Sequence, residues 1–253
     1  MSILVCNDDG ISAPGLGILA QAALALDAKV WIVAPERKWT AASHQLSFDR
    51  DLTLTRTGER SYACSGAPAD CVVAAMTILF AGGSKPQLVL AGINDKCNVG
   101  EDVAYSGTIA IAREATFWGT PAISLSRGEI APGGSGAAAD LAALSRLLRV
   151  LWNRRGDWAD NGHWLSINLP PSLPAPLVQA HIGRDKIAAA ADILEASNDR
   201  IRYRIRRGRP GTASPGDENA CLAEHKITVV RYCWHTAAKL PDAVVEAWLT
   251  EIG

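Results

Sequence analysis

Hydrophobic residues in the first half of the chain follow two alternating patterns. Short continuous runs such as 3–6 are rich in β-branched residues, as expected of strands that are buried on both faces. Between these runs, apolar residues recur every three or four positions, as over 16–26, which is the spacing of one helix face. The alternation predicts βαβ units and a mostly parallel sheet. The predicted strands lie at 3–6, 30–33, 52–56, 62–65, 88–91, 121–125 and 164–168, and the predicted helices at 16–26, 68–79, 109–117 and 141–151.

The pattern changes after Leu169, where closely spaced prolines define a stiff, non-helical segment. From Arg200 to Arg206, arginines alternate with apolar residues, and this period of two predicts a strand with one charged face. Residues 227–234 predict another strand, and the apolar residues within 244–249 predict a closing helix. We expect this tail to form a β-hairpin arm, because it is too small to need a core of its own.

Together these patterns predict a three-layer α/β/α protein with a Rossmann-like, mostly parallel sheet and a C-terminal β-hairpin arm. The catalytic core is expected over 1–169, with 164–168 as the last strand of its sheet and a glycine-rich connection at 133–136. The C-terminal extension over 170–253 is expected to carry the arm and the closing helix. It is also expected to join copies of the chain, because arms of this kind often reach across a dimer.

Composition narrows the classes of function. The net charge of −1 and the charged fraction of 20% give no overall field that would recruit nucleic acid or an anionic membrane. No apolar stretch approaches the length of a transmembrane helix, and the chain starts with a predicted strand rather than a secretory segment. The six cysteines are scattered without a C-x-x-C pair, which is typical of reduced thiols. We therefore expect a cytoplasmic protein that binds neither nucleic acid nor membrane.

Two adjacent carboxylates, Asp8 and Asp9, follow the first predicted strand directly. In open α/β sheets, ligands bind in the crevice at the carboxyl ends of the strands. Two like charges side by side repel each other, so they need a cation between them or a shared proton. Oxygen ligands suit Mg²⁺ or Mn²⁺. The alternative is that one aspartate caps the following helix while the other is solvated.

Further polar residues follow strands or begin helices at the same predicted edge. Asn94 offers a neutral carbonyl oxygen as a third metal ligand, and the hydroxyl of Thr40 or Ser43 could supply a fourth. The amides of Gly107 and Thr108 lie at a helix start, where unpaired N–H groups and the helix dipole attract phosphate. Carboxylates and a metal facing an anion site are the minimum set of groups for phosphate-ester hydrolysis.

Six short motifs stand in order along the first half of the chain. They are N-D-D-G at 7–10, V-A-P-E-R at 33–37, G-A-P-A-D-C at 66–71, G-I-N at 92–94, N-V-G-E-D-V at 98–103 and Y-S-G-T at 105–108. Six linked motifs in the same order are far more specific than any one of them. In this order they resemble the SurE family of survival-protein nucleotidases. The resemblance is dense from residue 1 to about 127 and weaker through the tail.

This resemblance implies a phosphatase that uses one divalent metal ion per subunit, Mg²⁺ or Mn²⁺. The implied reaction converts nucleoside 5′- or 3′-monophosphates to nucleoside and phosphate. The resemblance also implies that copies of the chain pair through their C-terminal arms into homodimers or homotetramers. The implied residues are Asp8, Asp9, Thr40 and Asn94 as metal ligands, Asn98, Ser106, Gly107 and Thr108 at the phosphate, and Asp8, Asp9 and Asn98 in catalysis.

The chain departs from the family pattern near the predicted metal. Relatives usually carry R-S where Trp39 and Thr40 stand, and threonine keeps the hydroxyl but stiffens χ1. Ser43 matches a serine of many relatives and could replace Thr40 as a ligand, while the neighbouring His44 is a further candidate for acid–base chemistry. The charged pair in the segment 95–97 could alter substrate choice or impair turnover.

Three other functions are compatible with parts of this pattern. Asp8 could be a nucleophile that forms an aspartyl-phosphate, which differs from attack by water in leaving a covalent intermediate. A phosphate-sensing receiver domain also begins with a strand and two aspartates, but it needs an Asp after the third strand and a late Lys. Asn94 and the strand at 121–125 do not provide them. The third interpretation is a family member that binds nucleotide without turning it over.

Overall fold

A computed structural model describes most of the chain, and the predicted alternation of strands and helices is confirmed within it. The described residues are 1–128, 137–160, 162–184, 190–206, 213–236, 241–244, 246 and 248. The strands are β1 (Ser2–Cys6), β2 (Lys29–Pro35), β3 (Leu54–Gly58), β4 (Ser61–Cys64), β5 (Leu88–Asn94), β6 (Ala122–Arg127), β7 (His163–Leu169), β8 (Leu177–Gln179), β9 (Ala190–Ala196), β10 (Ile201–Arg206) and β11 (Ile227–Cys233). The α-helices are α1 (Pro14–Leu24), α2 (Pro68–Ala74), α3 (Gly107–Phe117), α4 (Ala137–Asn153) and α5 (Glu218–Ala223).

Nine of these strands form one sheet in the order β3-β4-β2-β1-β5-β6-β7-β11-β8. Six neighbouring strands run parallel to one another, namely β4, β2, β1, β5, β6 and β7. At the two ends of this group, β3 is antiparallel to β4 and β11 is antiparallel to β7. The predicted fold class, a mostly parallel α/β sheet with a C-terminal hairpin, is therefore confirmed. The prediction that β7 is the last strand of the sheet is wrong. β11 pairs with the side of β7 that faces away from β6, and β8 pairs with β11, so the backbone groups of β7 are hydrogen-bonded on both sides and the edge of the sheet moves to β8.

Successive residues of the central strands face opposite helix layers, as the period of two requires. Ile3 and Val5 of β1 pack in the core that contains residues of α1 and α4. Leu4 and Cys6 of the same strand pack in a second core with residues of α2 and α3. A strand buried on both faces must be apolar at every position. This requirement explains the continuous hydrophobic runs in the sequence.

The strand order reverses direction at β1, which has β2 on one side and β5 on the other. The chain leaves β1 for β2 through α1, whereas the later strands are added on the opposite side. Such a switch point opens a crevice beyond the carboxyl end of the strand. The residues that follow Cys6 therefore lie where a ligand has room to enter.

The remaining two strands, β9 and β10, form a separate antiparallel pair. Every residue of β10 is exposed, and the arginines alternate with apolar residues along it as predicted. The predicted connection at 133–136 lies outside the described residues. So do Val245 and Leu249 of the predicted closing helix. Within the part of the chain that the structure describes, no helix combines the length and the apolar character needed to cross a membrane.

Candidate active site

A cavity of about 370 Å³ lies beyond the carboxyl end of β1. It contains most of the residues singled out from the sequence, which come from four separate parts of the chain. The chain crossings that connect parallel strands return every strand end to this edge, so residues distant in sequence meet here. The predicted site residues that line the cavity are Asp8, Asp9, Thr40, Asn94, Asn98 and Ser106.

The loop that carries the two aspartates is held by Asn7, which is fully buried. Its side-chain amide donates to the Gly10 carbonyl at 3.0 Å, and its side-chain oxygen accepts from the Gly10 N–H at 3.2 Å. Gly10 has φ of +103°, a conformation that residues with a Cβ rarely adopt. The N-D-D-G string is therefore a closed turn that presents Asp8 and Asp9 in a fixed orientation.

Asp8 is buried, with 7% of its surface exposed. One of its carboxylate oxygens accepts a hydrogen bond from the Thr108 hydroxyl. Burial raises the pKa of Asp8 to about 6, with the Thr108 hydrogen bond acting in the opposite direction and the charge of Asp9 adding to the rise. The environment thus disfavours the lone negative charge, which is the condition under which a bound cation stabilises a carboxylate most.

The N-terminus of α3 packs directly against Asp8. A Cβ on Gly107 would lie 2.8 Å from the Asp8 Cβ, so only glycine lets the helix come this close. Ser106 caps the helix, its hydroxyl accepting from the Ile109 N–H at 3.1 Å. The hydroxyls of Ser106 and Thr108 therefore have partners within the protein. This turn can therefore bind an anion through the backbone N–H groups of the first helical positions.

Asp9 forms an ion pair that the sequence did not reveal. The Lys38 ammonium lies 2.5 Å from an Asp9 carboxylate oxygen and 2.5 Å from one of Asp95. Burial lowers the pKa of Lys38, but its hydrogen bonds to Asp9 and Asp95 outweigh this effect and raise it overall. The charged residue next to Asp95 in sequence, Lys96, is not its partner here. Lys38 thus places a positive charge where the sequence predicts a cation.

The donor groups of the cavity fit a hard divalent metal. Asn94 donates its amide N–H to the Lys96 carbonyl at 2.7 Å, which leaves the amide oxygen as the acceptor end of that side chain. Together with Asp8, Asp9 and the Thr40 hydroxyl, this gives a ligand set made only of oxygens, as Mg²⁺ and Mn²⁺ prefer. The ammonium against Asp9 shows that a cation is accommodated at this place.

Asn98 is held by a buried network that reaches into the C-terminal part of the chain. Its backbone N–H donates to the Asn168 side-chain oxygen at 2.8 Å, and its side-chain amide donates to the Ser126 hydroxyl at 2.6 Å. Glu218 accepts from the Asn168 amide at 3.3 Å and from the Gly100 N–H at 3.1 Å. Burial raises the pKa of Glu218 to about 7. This network orients the loop that carries Asn98.

The two additional candidates, Ser43 and His44, do not line this cavity. The Ser43 hydroxyl donates to the Ala104 carbonyl at 2.8 Å, which ties its loop to the segment before α3. His44 Nε2 is 2.8 Å from a carboxylate oxygen of Glu114, and its ring stacks on Phe117. Both residues support the walls of the site from outside.

Sequence reasoning missed several residues that the fold brings to the site. Lys38, Asp102 and Tyr105 line the cavity, and Glu218 acts through the Asn98 network. Lys38 lies two positions before the predicted ligand Thr40, and this proximity in sequence could have identified it as a site residue. Nothing local marks Glu218, because the hydrogen bonds that tie it to the site come from Gly100 and Asn168, which lie 118 and 50 positions away in sequence.

A second cavity of about 640 Å³ adjoins the first. The two share Asp9, Lys38, Asn94 and Asp95 as lining residues. The rest of the second cavity is largely apolar where it is bounded by α1 and the end of β5. Its other lining residues include Ala13, Pro14, Ile18 and Ile93.

The fold and this site define a doubly wound α/β protein with an acidic ligand site at the switch point of its sheet. The family described as Survival protein SurE matches residues 3–190, most of the chain. The chain belongs to the SurE family.

Two relatives are named 5′-nucleotidase SurE. The protein of Allorhizobium ampelinum is 34% identical over 264 aligned positions that cover 100% of both chains. That of Cereibacter sphaeroides is 40% identical over 190 residues, which are 72% of this chain and 71% of the relative. The crystal structure of the SurE protein from Aquifex aeolicus matches the fold with a TM-score of 0.74 at 23% identity, covering 100% of this chain and 99% of that one.

Proposed function

We propose that this protein is a divalent-metal-dependent phosphatase that hydrolyses nucleoside 5′- or 3′-monophosphates. The observation that carries the proposal is one cavity lined by Asp8, Asp9, Thr40 and Asn94, with the N-terminus of α3 against Asp8. Membership of the SurE family and relatives named 5′-nucleotidase, a class of phosphoric monoester hydrolases, support it. The proposed cofactor is one Mg²⁺ or Mn²⁺ ion per subunit.

In this proposal Asp8, Asp9, Asn94 and the Thr40 hydroxyl would hold the metal. When bound, the metal supplies positive charge for the phosphate and makes water more acidic. Asp8 or Asp9 accepts the proton of the attacking water as the bond from phosphorus to the nucleoside oxygen breaks, and the released oxygen takes up a proton from solvent to form the nucleoside hydroxyl. Asn98 and the first amides of α3 donate to the equatorial phosphate oxygens, where negative charge develops.

The nucleoside is proposed to occupy the adjoining cavity. That cavity begins at Asp9 and Asn94, so a phosphate at the first cavity leaves the rest of the molecule directed into it. Its wall at Ile18 and Ile93 is apolar, and an apolar wall suits the base and ribose of a nucleoside better than a charged wall would. Trp39 lines the first cavity, but the Arg37 guanidinium lies 4.6 Å from its ring centroid and covers one face of the ring, so the base is not assigned to it.

The test is phosphate release from a panel of nucleoside 5′- and 3′-monophosphates after chelation and after return of Mg²⁺ or Mn²⁺. We expect turnover only with metal and loss of turnover on chelation. Incorporation of solvent oxygen into phosphate without an acid-stable phosphoenzyme would support attack by water over an aspartyl-phosphate. Absence of metal-dependent release from every member of the panel would refute the proposal.

A second candidate function is nucleotide binding without turnover. The Lys38 ammonium favours it, because it neutralises Asp9 in place of a metal and is itself held by Asp95. In that case nucleotides bind with little effect of Mg²⁺ and no phosphate is released. Equilibrium binding measured beside the release assay separates the two functions. Lys38→Gln, which removes the competing charge, should then restore metal dependence.

We also propose that the β9–β10 pair joins copies of the chain into a dimer or tetramer. Its apolar face carries Ile193, Ile201, Tyr203 and Ile205, which are 57–68% exposed. Two-stranded ribbons are marginal alone, so a second copy covering this face would stabilise it. Tyr203→Asp should lower the mass measured by sedimentation, whereas Arg204→Ser on the opposite face should not. An unchanged mass in both variants contradicts this assembly.

A further inference from the structure

A group of metal-binding side chains lies at the edge of the sheet opposite the candidate active site. His163 begins β7 and Cys233 ends β11, and the two are partners in the antiparallel ladder. Partners in such a ladder project from the same face of the sheet, with Cβ atoms about 5 Å apart. His235 follows Cys233 by two positions, the spacing that returns a side chain to the same face. The pairing thus brings two imidazoles and one thiol together.

The backbone around this cluster is closely packed. The Trp234 N–H donates to the Gly162 carbonyl at 3.3 Å, which extends the ladder beyond Cys233. A Cβ on Gly162 would lie 2.6 Å from the Cδ2 atom of His235, so glycine is what lets the chain pass this close to the histidine ring. The His163 and His235 rings meet edge to face with centroids 5.6 Å apart. Contacts with the turn before β7 therefore place His235 over the end of the β7–β11 ladder.

We propose that His163, Cys233 and His235 form a second metal site, which binds Zn²⁺. One ligand atom from each residue lies within 4.8 Å of the others. Ligand atoms around one tetrahedral Zn²⁺ ion lie about 3.5 Å apart, so small rotations of these incompletely buried side chains suffice. Two imidazoles and a thiolate form a borderline-soft set that selects Zn²⁺ over Mg²⁺. Binding releases the Cys233 proton to solvent, and water completes the four-coordinate shell.

This site is separate from the candidate active site in position and in chemistry. β7 has seven residues, so its two ends are about 20 Å apart. The far end of β7 carries Asn168, which contacts Asn98 of the active-site network. The active-site cavity presents oxygens, whereas the cluster presents nitrogen and sulfur. Zn²⁺ here would clamp the end of β11 to the start of β7, where the chain leaves the sheet.

The test uses the metal-free full-length protein titrated with Co²⁺, which reports a thiolate ligand through a sulfur-to-cobalt charge-transfer band. We expect one equivalent of Co²⁺ to produce the band and one equivalent of Zn²⁺ to abolish it. Cys233→Ser should remove the band and His163→Ala should weaken Co²⁺ binding at least 10-fold. Cys97→Ser is the matched control, because Cys97 is the cysteine that lines the active-site cavity.

A second measurement makes the result independent of any nucleotidase activity. In buffer with excess Mg²⁺, which would occupy the oxygen ligands of the candidate active site, one equivalent of Zn²⁺ should raise the Tm of the wild type and of Cys97→Ser by about 5 °C and should leave the Tm of Cys233→Ser unchanged. Phosphate release with Mg²⁺ should be the same in Cys233→Ser as in the wild type, because the cluster lies away from the reacting groups. No charge-transfer band in the wild type, or a band that survives in Cys233→Ser, overturns the proposal. So does a band that disappears in Cys97→Ser.

Discussion

The active-site edge of the sheet and the β9–β10 pair use the same residue types in opposite environments. Asp8 is buried and accepts a hydroxyl hydrogen bond from Thr108, and burial raises its pKa. Asp192 of β9 is paired with Arg206, and the hydrogen bond from that guanidinium lowers its pKa. Burial makes the first carboxylate reactive toward cations or protons, whereas water surrounds the second pair. Burial therefore dominates the pKa of the first carboxylate, whereas the charged partner dominates the pKa of the second.

The same contrast holds for packing. The loops at the active-site edge are fixed by side-chain bonds such as those of Asn7 to Gly10 and by close contacts such as that of Gly107 with Asp8. The β9–β10 pair has bonds within itself, and its apolar residues belong to neither of the two main cores. Substitutions should therefore have large effects at the first region and small effects at the second.

The largest expected effect is on catalysis at the buried carboxylate. Asp8→Asn should lower kcat for nucleotide hydrolysis at least 100-fold, because it removes the charge that would hold the metal and accept a proton. The control is Asp27→Asn at an exposed position where φ is +55°, which asparagine tolerates. Phosphate release under saturating metal measures both. Near wild-type turnover in Asp8→Asn would remove Asp8 from the mechanism.

The next effect tests the close approach of α3. Gly107→Ala should lower the free energy of unfolding by about 1–3 kcal/mol, because its Cβ would lie 2.8 Å from the Asp8 Cβ. It should also lower kcat, since Asp8 must move. Gly17→Ala in α1, where nothing lies within 4 Å of the added methyl group, should instead raise stability by about 0.5–1 kcal/mol. Urea unfolding compares the two, and equal effects would show that the contact is not tight.

An effect of comparable size depends on pH. The pKa of Glu218 is raised by burial from 4.5 to about 7. Between these values the folded state keeps a proton that the unfolded state has lost. Stability from this group is therefore complete below pH 4.5 and is lost as the pH rises through 7. We expect a loss of about 2–3 kcal/mol, measured as urea unfolding at pH 4.5 and pH 8.

Glu218→Gln should remove this part of the pH dependence, because glutamine does not titrate. Glu195→Gln, at the exposed pair with Arg202 in the β9–β10 ribbon, should leave the wild-type pH dependence intact. The difference between the wild-type and variant curves isolates the Glu218 contribution from other titrating groups. Parallel curves for wild type and Glu218→Gln would show that Glu218 does not titrate in this range.

The smallest expected effect is at the exposed ion pair itself. Asp192→Asn should leave the midpoint of urea unfolding unchanged, because water solvates both partners once the pair is broken. The urea unfolding midpoint of Gly107→Ala shows, for comparison, how large the change is at a tightly packed position. A clear loss of stability in Asp192→Asn would mean that the pair is covered in solution, which would place a contact on the charged face of the ribbon, opposite the apolar face proposed to join copies.

Local patterns were sufficient for the central part of the fold and for the candidate residues. The runs at 3–6 and 88–91 predicted β1 and β5, because a strand buried on both faces leaves a continuous apolar signature. The turn N-D-D-G predicted an acidic site at the end of β1. Asn94, Thr40 and Asn98 could be grouped with it because parallel strands end at one edge. Their roles as ligands stay predictions.

Other features could not be derived in this way. The sequence predicted the strand β11 but not its position beside β7, because an apolar run does not specify its neighbour. The charged pair at 95–97 suggested an effect on substrate choice or turnover, yet Asp95 pairs with Lys38, which is far from it in sequence. Ser43 was an alternative to Thr40 as a ligand and His44 a candidate for acid–base chemistry, but neither lines the cavity.

The sequence by itself determined most strands and helices of residues 1–169 and the chemical identity of the groups at the active-site edge, because periodicity and residue type are local properties. It did not reveal β8, β9 or α5. Only the tertiary structure decided which of these groups meet. The contact between Gly100 and Glu218 joins residues 118 positions apart, and the Lys38–Asp95 pair joins residues 57 positions apart. Such contacts depend on the packing of both cores at once, since shifting one strand by one residue would exchange its two faces.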